Sequence, residues 1–171
     1  MALPIAFPSS SGGGSGGGKL AQAAVYAESG AVATGSTRLP VDDTIPQNTE
    51  GNALSALDCT ITPTNANSKL LIIAAVNLNS PAATGTSAIA LFVDSTADAI
   101  AVGFAQQSSV NSWSWVASIH ILISAASTSS RIYKIRYGND SGSNNTVNGG
   151  SSARLFGGVL KSSMTVLEIL P

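Results

Sequence analysis

The chain has 171 residues, of which 44% are hydrophobic, 10% charged and 5% aromatic, with a formal net charge of −1. That length suits one domain with a single core, and its scattered basic residues offer no cationic patch for a phosphate backbone, which excludes nucleic-acid binding. The longest apolar run, Leu70 to Val76, is too short to cross a bilayer, and the lone Cys59 excludes an intramolecular disulfide and a thiolate zinc cluster.

Residues 1–18 stand apart from the rest. Met1 to Pro8 is apolar and carries two prolines, Ser9 to Gly18 holds only Ser and Gly, and no charge precedes Lys19. Without a basic opening segment the terminus does not read as a signal peptide. Gly and Ser bring neither apolar surface nor stiffness, so by itself the stretch is a flexible tail. The functional reading is an anchoring arm, in which Leu3, Ile5 and Phe7 dock into a partner at the end of a tether. Residues 19–171 are expected to form the folded domain.

From Lys19 onward the pattern is β. Cys59 lies in the strand-like run LDCTIT and reads as a small buried hydrophobe. In KLLIIAAVNLN, residues 69–79, Leu70, Ile72, Ala74, Val76 and Leu78 share one face and Leu71, Ile73 and Ala75 the other. Both faces are apolar, as in a strand buried between layers. Ile89, Leu91 and Val93 alternate next, then Ile100, Val102 and Phe104. SWSWVASIHILIS places Trp113, Trp115, Ile119, Ile121 and Ile123 on one side, with Ser114, Ser118, His120 and Ser124 opposite, broken by Val116 and Leu122. RIYKIRY turns Tyr133, Ile135 and Tyr137 inward and Lys134 and Arg136 outward, and MTVLEIL closes the series. Turn-prone segments separate these runs: TPTNANS, NSPAATGTS, DSTAD, SAASTSS and GNDSGSNNTVNGGSSA. The expectation is an all-β fold, an antiparallel jelly-roll-like sandwich of about eight to ten strands with an extended N-terminal arm. No internal repeat points to a solenoid or propeller.

Catalytic chemistry finds little footing. His120 is the only histidine, no Gly-x-Ser-x-Gly elbow is present, and a lone His on a strand's polar face is usually structural; hydrogen bonding at a subunit interface is its other reading. Adjacent Asp42 and Asp43 suit turn-making better than paired acid–base work, and Asp94 and Asp98 flank the DSTAD turn as a solvated loop. Asn139, Asp140, Ser141, Asn144 and Asn145 offer oxygens without calcium-loop spacing. Gly12 to Gly18 lacks the strand, Lys and helix of a phosphate loop. Trp113 and Trp115 share the spacing of the core-facing isoleucines, which favours packing over sugar stacking. No enzyme, cofactor or metal is expected.

The most distinctive text is TGSTRLPVDDTIPQNTEG, Thr34 to Gly51, where Pro40 and Pro46 hold the chain extended and NTEG reads as a reversal. With TITPTNANSKLLI, KIRYGN, the FGG of Phe156 to Gly158 and SSMTVLEI, it resembles a recurring bacteriophage virion module of small head, tail and fibre proteins. The resemblance spans roughly Val25 to Leu170. It implies a trimeric β-sandwich similar to the tumour-necrosis-factor and complement-globular-head jelly rolls, and it brings no catalytic residues. The charged fraction, well under the roughly 25% of typical soluble domains, and the small Ala-rich faces also suit a chain covered by its own copies.

The expected function is non-enzymatic. The chain reads as a capsid-decorating cement or head-fibre protein of a virion, assembled in the host cytoplasm and anchored by its arm to the major capsid protein or another virion protein. The alternative is a tail-fibre component or a receptor-binding module that recognises host-surface glycan. For that reading the candidate surface is the loop of residues 139–152, with Asn139, Asp140, Asn144 and Asn145.

Overall fold

A computed structural model describes residues 19–80, 85–107, 113–150 and 153–171. The arm, with Leu3, Ile5 and Phe7, lies outside the described residues. Among the described residues thirteen strands run in chain order: β1 (Leu20–Ser29), β2 (Ala33–Gly35), β3 (Asn52–Ala53), β4 (Cys59–Ile61), β5 (Lys69–Ser80), β6 (Gly85–Val93), β7 (Ala101–Gln107), β8 (Trp113–Ser124), β9 (Arg131–Asn139), β10 (Asn145–Val147), β11 (Gly149–Gly150), β12 (Ala153–Arg154) and β13 (Ser162–Ile169). Apart from β1, the long strands are those the period-two runs predict. The extra short ones, β2, β3, β10, β11 and β12, are two or three residues each, too brief to leave an alternating pattern.

One sheet has the order β1-β13-β5-β8, and where β13 ends along β5, β10 pairs β5 in its place and β2 pairs β10. The second is β3 and β4 on β9, then β6 and β7. Every described pairing is antiparallel. The chain leaves the first sheet after β5, builds β6 and β7 in the second, returns for β8 and crosses again for β9. That alternation is the jelly-roll arrangement, and it lets each sheet bury one face against the other.

Alternation of side chains fills the space between. Leu70, Ile72, Ala74, Val76 and Leu78 of β5, Ala117 and Ile119 of β8, and Met164 and Val166 of β13 face Ile89, Leu91, Tyr133, Ile135 and Tyr137 of the second sheet. Each fully buried Leu or Ile contributes about 1.5–3 kcal/mol of hydrophobic stabilisation. Cys59 is wholly buried in this core, and burial pushes its thiol pKa up to about 11. It behaves as the inert hydrophobe its surroundings require.

A second, smaller core lies outside the second sheet. Leu39 is fully buried against Ala88, Ala90 and Phe92, the outward face of β6. The strap of residues 36–51 carries it there. Leu39 N–H donates to the Asn139 carbonyl at 3.0 Å and Gly51 N–H to the Arg38 carbonyl at 2.8 Å. Gly138 permits the approach, since a Cβ there would press on Leu39 and on the Thr37 carbonyl. The expected reversal at Asn48–Gly51 is present, with Gly51 at φ 65° and Glu50 N–H donating to the Gln47 carbonyl. Asp42 makes the expected turn, its Oδ1 accepting from the N–H and hydroxyl of Thr44 at 2.9 and 2.5 Å.

At the end of the sandwich where Lys19 lies, Glu168 is buried. Its carboxylate accepts from Thr64 N–H at 2.8 and 3.0 Å, from the Thr64 hydroxyl at 3.0 Å and from Asn65 N–H at 3.2 Å. Those bonds fix the loop between β4 and β5. The opposite end is closed by buried amides and hydroxyls. Asn148 donates to the Ser29 and Ala31 carbonyls at 2.6 and 3.1 Å, and the Ser162 hydroxyl donates to Asn148 Oδ1 at 2.7 Å.

Candidate subunit interface

The first sheet has no described cover on its outer face. Register sets side chains from three strands in rows across it: Leu167, Leu71 and Leu122, then Thr165, Ile73 and His120, then Ser163, Ala75 and Ser118. Val116 stands beyond, opposite Asn77. Leu71, Ile73 and Leu167 are half-buried by their neighbours, whereas Val116 and Leu122 are each 56% exposed. The only charges on this stretch lie at its margins. Lys69 donates to the Ser124 hydroxyl at 2.8 Å at one end, and Lys161 bonds Glu28 at the other. A flat, weakly polar sheet face of this kind loses little on leaving water and gains from apolar contact. The double apolar face of residues 69–79 is therefore present, with one side in the core and the other turned to the surface.

His120 lies in the middle of that face. It is exposed, opposite Ile73, with Ser118 and Leu122 beside it on the same side of β8.

A second apolar surface lies around the corner. The sandwich is closed on one side where β7 runs against β8 so tightly that a Cβ at Gly103 would collide with the Ser118 carbonyl. The alternating residues of β7 are thereby turned outward, leaving Phe104 65% exposed and Val102 45% exposed. Of the alternating Ile100, Val102 and Phe104, Ile100 packs against the core, whereas Val102 and Phe104 face outward. The inward positions are Ala101, Gly103 and Ala105, small because β8 leaves them no room. Ile45 and Val41 of the strap add exposed apolar surface to the chain. Sequence reading missed this surface, for the alternation of Val102 and Phe104 has the same form whether it faces in or out.

The remaining candidates are distributed as follows. In the 139–152 loop, Asn139 and Asn145 are buried, the first donating to the Ser143 carbonyl at 2.9 Å and the second accepting from the Ser87 hydroxyl at 3.0 Å. Asp140 pairs with Arg38 at 2.7 Å, and that guanidinium, with Val41 N–H, holds the carboxyl below its ordinary range. Asn144 is exposed. Trp115 packs against the core, as its spacing predicts. Among the described residues no cluster of three or more His, Cys, Asp or Glu could hold a metal, and no helix is long and apolar enough to cross a membrane.

The two-sheet topology places the domain among TNF-like jelly-roll sandwiches. Among solved structures it is similar to the Eiger TNF of S. frugiperda, with a TM-score of 0.51 and 9% identity over 88% of this chain and 94% of that one. At that identity the likeness shows the fold alone. No family model and no curated protein matches the chain.

Proposed function

We propose that this chain is a non-enzymatic structural protein of a bacteriophage particle, working as a homotrimer. The observation that carries the assembly is the uncharged apolar outer face of β5, β8 and β13. Its complement on a second copy is the exposed strip of Phe104 and Val102. Two different surfaces meeting head to tail make a heterologous contact, which generates a closed ring when the rotation closes. The count of three comes from the resemblance to virion modules with TNF-like sandwiches. His120 then lies within the buried contact, where its ring bonds across the interface.

The termini favour anchoring from one end. Leu170 N–H donates to the Lys19 carbonyl at 2.7 Å, so an arm of residues 1–18 leaves the domain beside its C-terminus and the opposite end projects outward. Three apolar plugs on one trimer hold at high effective concentration even when each is weak. We favour decoration of the head over a place in the tail fibre, because the described residues form a compact sandwich of the kind that suits a shell surface. Light scattering on the purified full chain should give three times the chain mass; a monomer at micromolar concentration would refute the assembly. Gold-labelled antibody on purified particles should mark the head. Label at the tail would move the chain to the fibre, and bare particles would refute the virion reading.

A further inference from the structure

A half-enclosed cavity of about 350 Å³ opens on the outer face of the second sheet. It is distinct from the 139–152 loop and lies on the opposite sheet from the outer face of β5, β8 and β13. Its floor is Phe92 of β6 and its cross-strand partner Lys134 of β9, with Arg136 alongside. Asn48 of the strap, Asp58 and Asp94 form the walls.

Most of the rim is fastened from behind. Asp94, a non-glycine residue at φ 54°, accepts from Ile132 N–H at 2.8 Å and pairs with Arg131 at 2.7 Å. Arg136 donates to the Glu50 and Gly51 carbonyls at 2.5 and 2.7 Å, and Asn48 donates to the Thr96 carbonyl at 2.8 Å. Lys134 Nζ donates once, to the Asp94 carbonyl at 2.9 Å, and keeps two further hydrogens. Across from it the Asp58 carboxylate accepts no hydrogen bond among the described residues. Partial burial raises its pKa, and the Lys134 charge only partly offsets this. An acceptor and a donor thus face one cavity without meeting, above the nearly buried Phe92. Strained backbone at the rim and a desolvated carboxylate are features that mark binding sites more often than plain surface.

We propose that this cavity binds a neutral, hydroxyl-rich ligand, a single sugar unit of a glycan. A sugar offers adjacent hydroxyls that donate to Asp58 and accept from Lys134, joining two groups that form no ion pair with each other. The volume is at the small end of ligand pockets, roughly 300–1,000 Å³, and matches one ring rather than a long chain. An anionic sugar would meet the Asp58 charge. The inference does not rest on the virion reading.

Saturation-transfer NMR on the full-length protein tests it, with methyl glucoside, methyl mannoside, methyl galactoside and N-acetylglucosamine as probes beside glycine and glucuronate. One neutral sugar should give transfer with a dissociation constant in the millimolar range, weakened at least about tenfold by Asp58→Asn and by Lys134→Met. Asn144→Ala, in the 139–152 loop, should leave it unchanged. Melting curves verify that each variant is folded. Absence of transfer from every neutral sugar at about 50 mM overturns the proposal. So does a signal that only Asn144→Ala removes, or stronger binding of glycine or glucuronate.

Discussion

Among the described residues Glu168 is the one charged side chain wholly removed from solvent. A buried carboxylate is tolerated only where donors replace its water, and Thr64 and Asn65 supply three of them. Glu168→Gln, which turns an amide NH₂ toward those donors, should cost about 1–3 kcal/mol, and Glu168→Ala about 3–5 kcal/mol, in denaturant unfolding; a wild-type midpoint for Glu168→Ala would refute the assignment. Asp58 differs in sign. Its folded pKa stands above its unfolded one, so ionisation costs stability as pH rises through the carboxylate range, and the cost persists at neutral pH. Lys134, Arg136 and Asp94 share its cavity and set the field around it. Asp58→Asn should therefore raise the melting temperature at pH 7, with the gain shrinking below about pH 4. An equal gain at pH 3 and pH 7, or a loss at pH 7, would contradict this. That a destabilising carboxylate is present at all fits a group held ready for a ligand.

Strand β5 separates folding from assembly within one element. Ile72 points into the core and Leu71, its neighbour, to the outer face. Ile72→Ala leaves a cavity between the sheets and should cost about 2–5 kcal/mol, with oligomer mass unchanged while the domain is folded. Leu71→Asp puts a charge in the middle of the candidate interface and should lower the mass towards one chain while the domain still melts cooperatively. If Leu71→Asp keeps the assembled mass, another surface joins the copies. The alternation of residues 69–79 was readable because period two marks both faces of a strand. Which face meets the second sheet and which meets solvent was not, because both are apolar. The strap shows the same limit. Its prolines, the Asp42 turn and the Asn48–Gly51 reversal follow from local chemistry, whereas the burial of Leu39 depends on Ala88, Ala90 and Phe92, some fifty residues on.

For the whole molecule the arm is the part to remove. The described domain starts at Lys19, whose carbonyl already bonds Leu170 beside β13, so deletion of residues 1–18 should leave the β domain folded and its oligomer mass at three truncated chains. The same variant should no longer join particles, which sedimentation of particles assembled with tagged protein measures; full incorporation would sink the anchor. Local chemistry in the sequence determined the β class, most of the long strands, the inward rows of β8 and β9, and the turns, because periodicity and backbone preference act over a few residues. It left the cavity unseen, since Asn48 and Asp58 lie far in the chain from Asp94 and Lys134, and only the pairing of β4 and β6 with β9 and the bonding of Asn48 to the turn after β6 gather them. It also showed that Val102 and Phe104 alternate, without showing which way they face. Tertiary structure decided that, because β8 presses so close on Gly103 that this strand can turn only its small residues inward, and its large apolar ones are left for a partner.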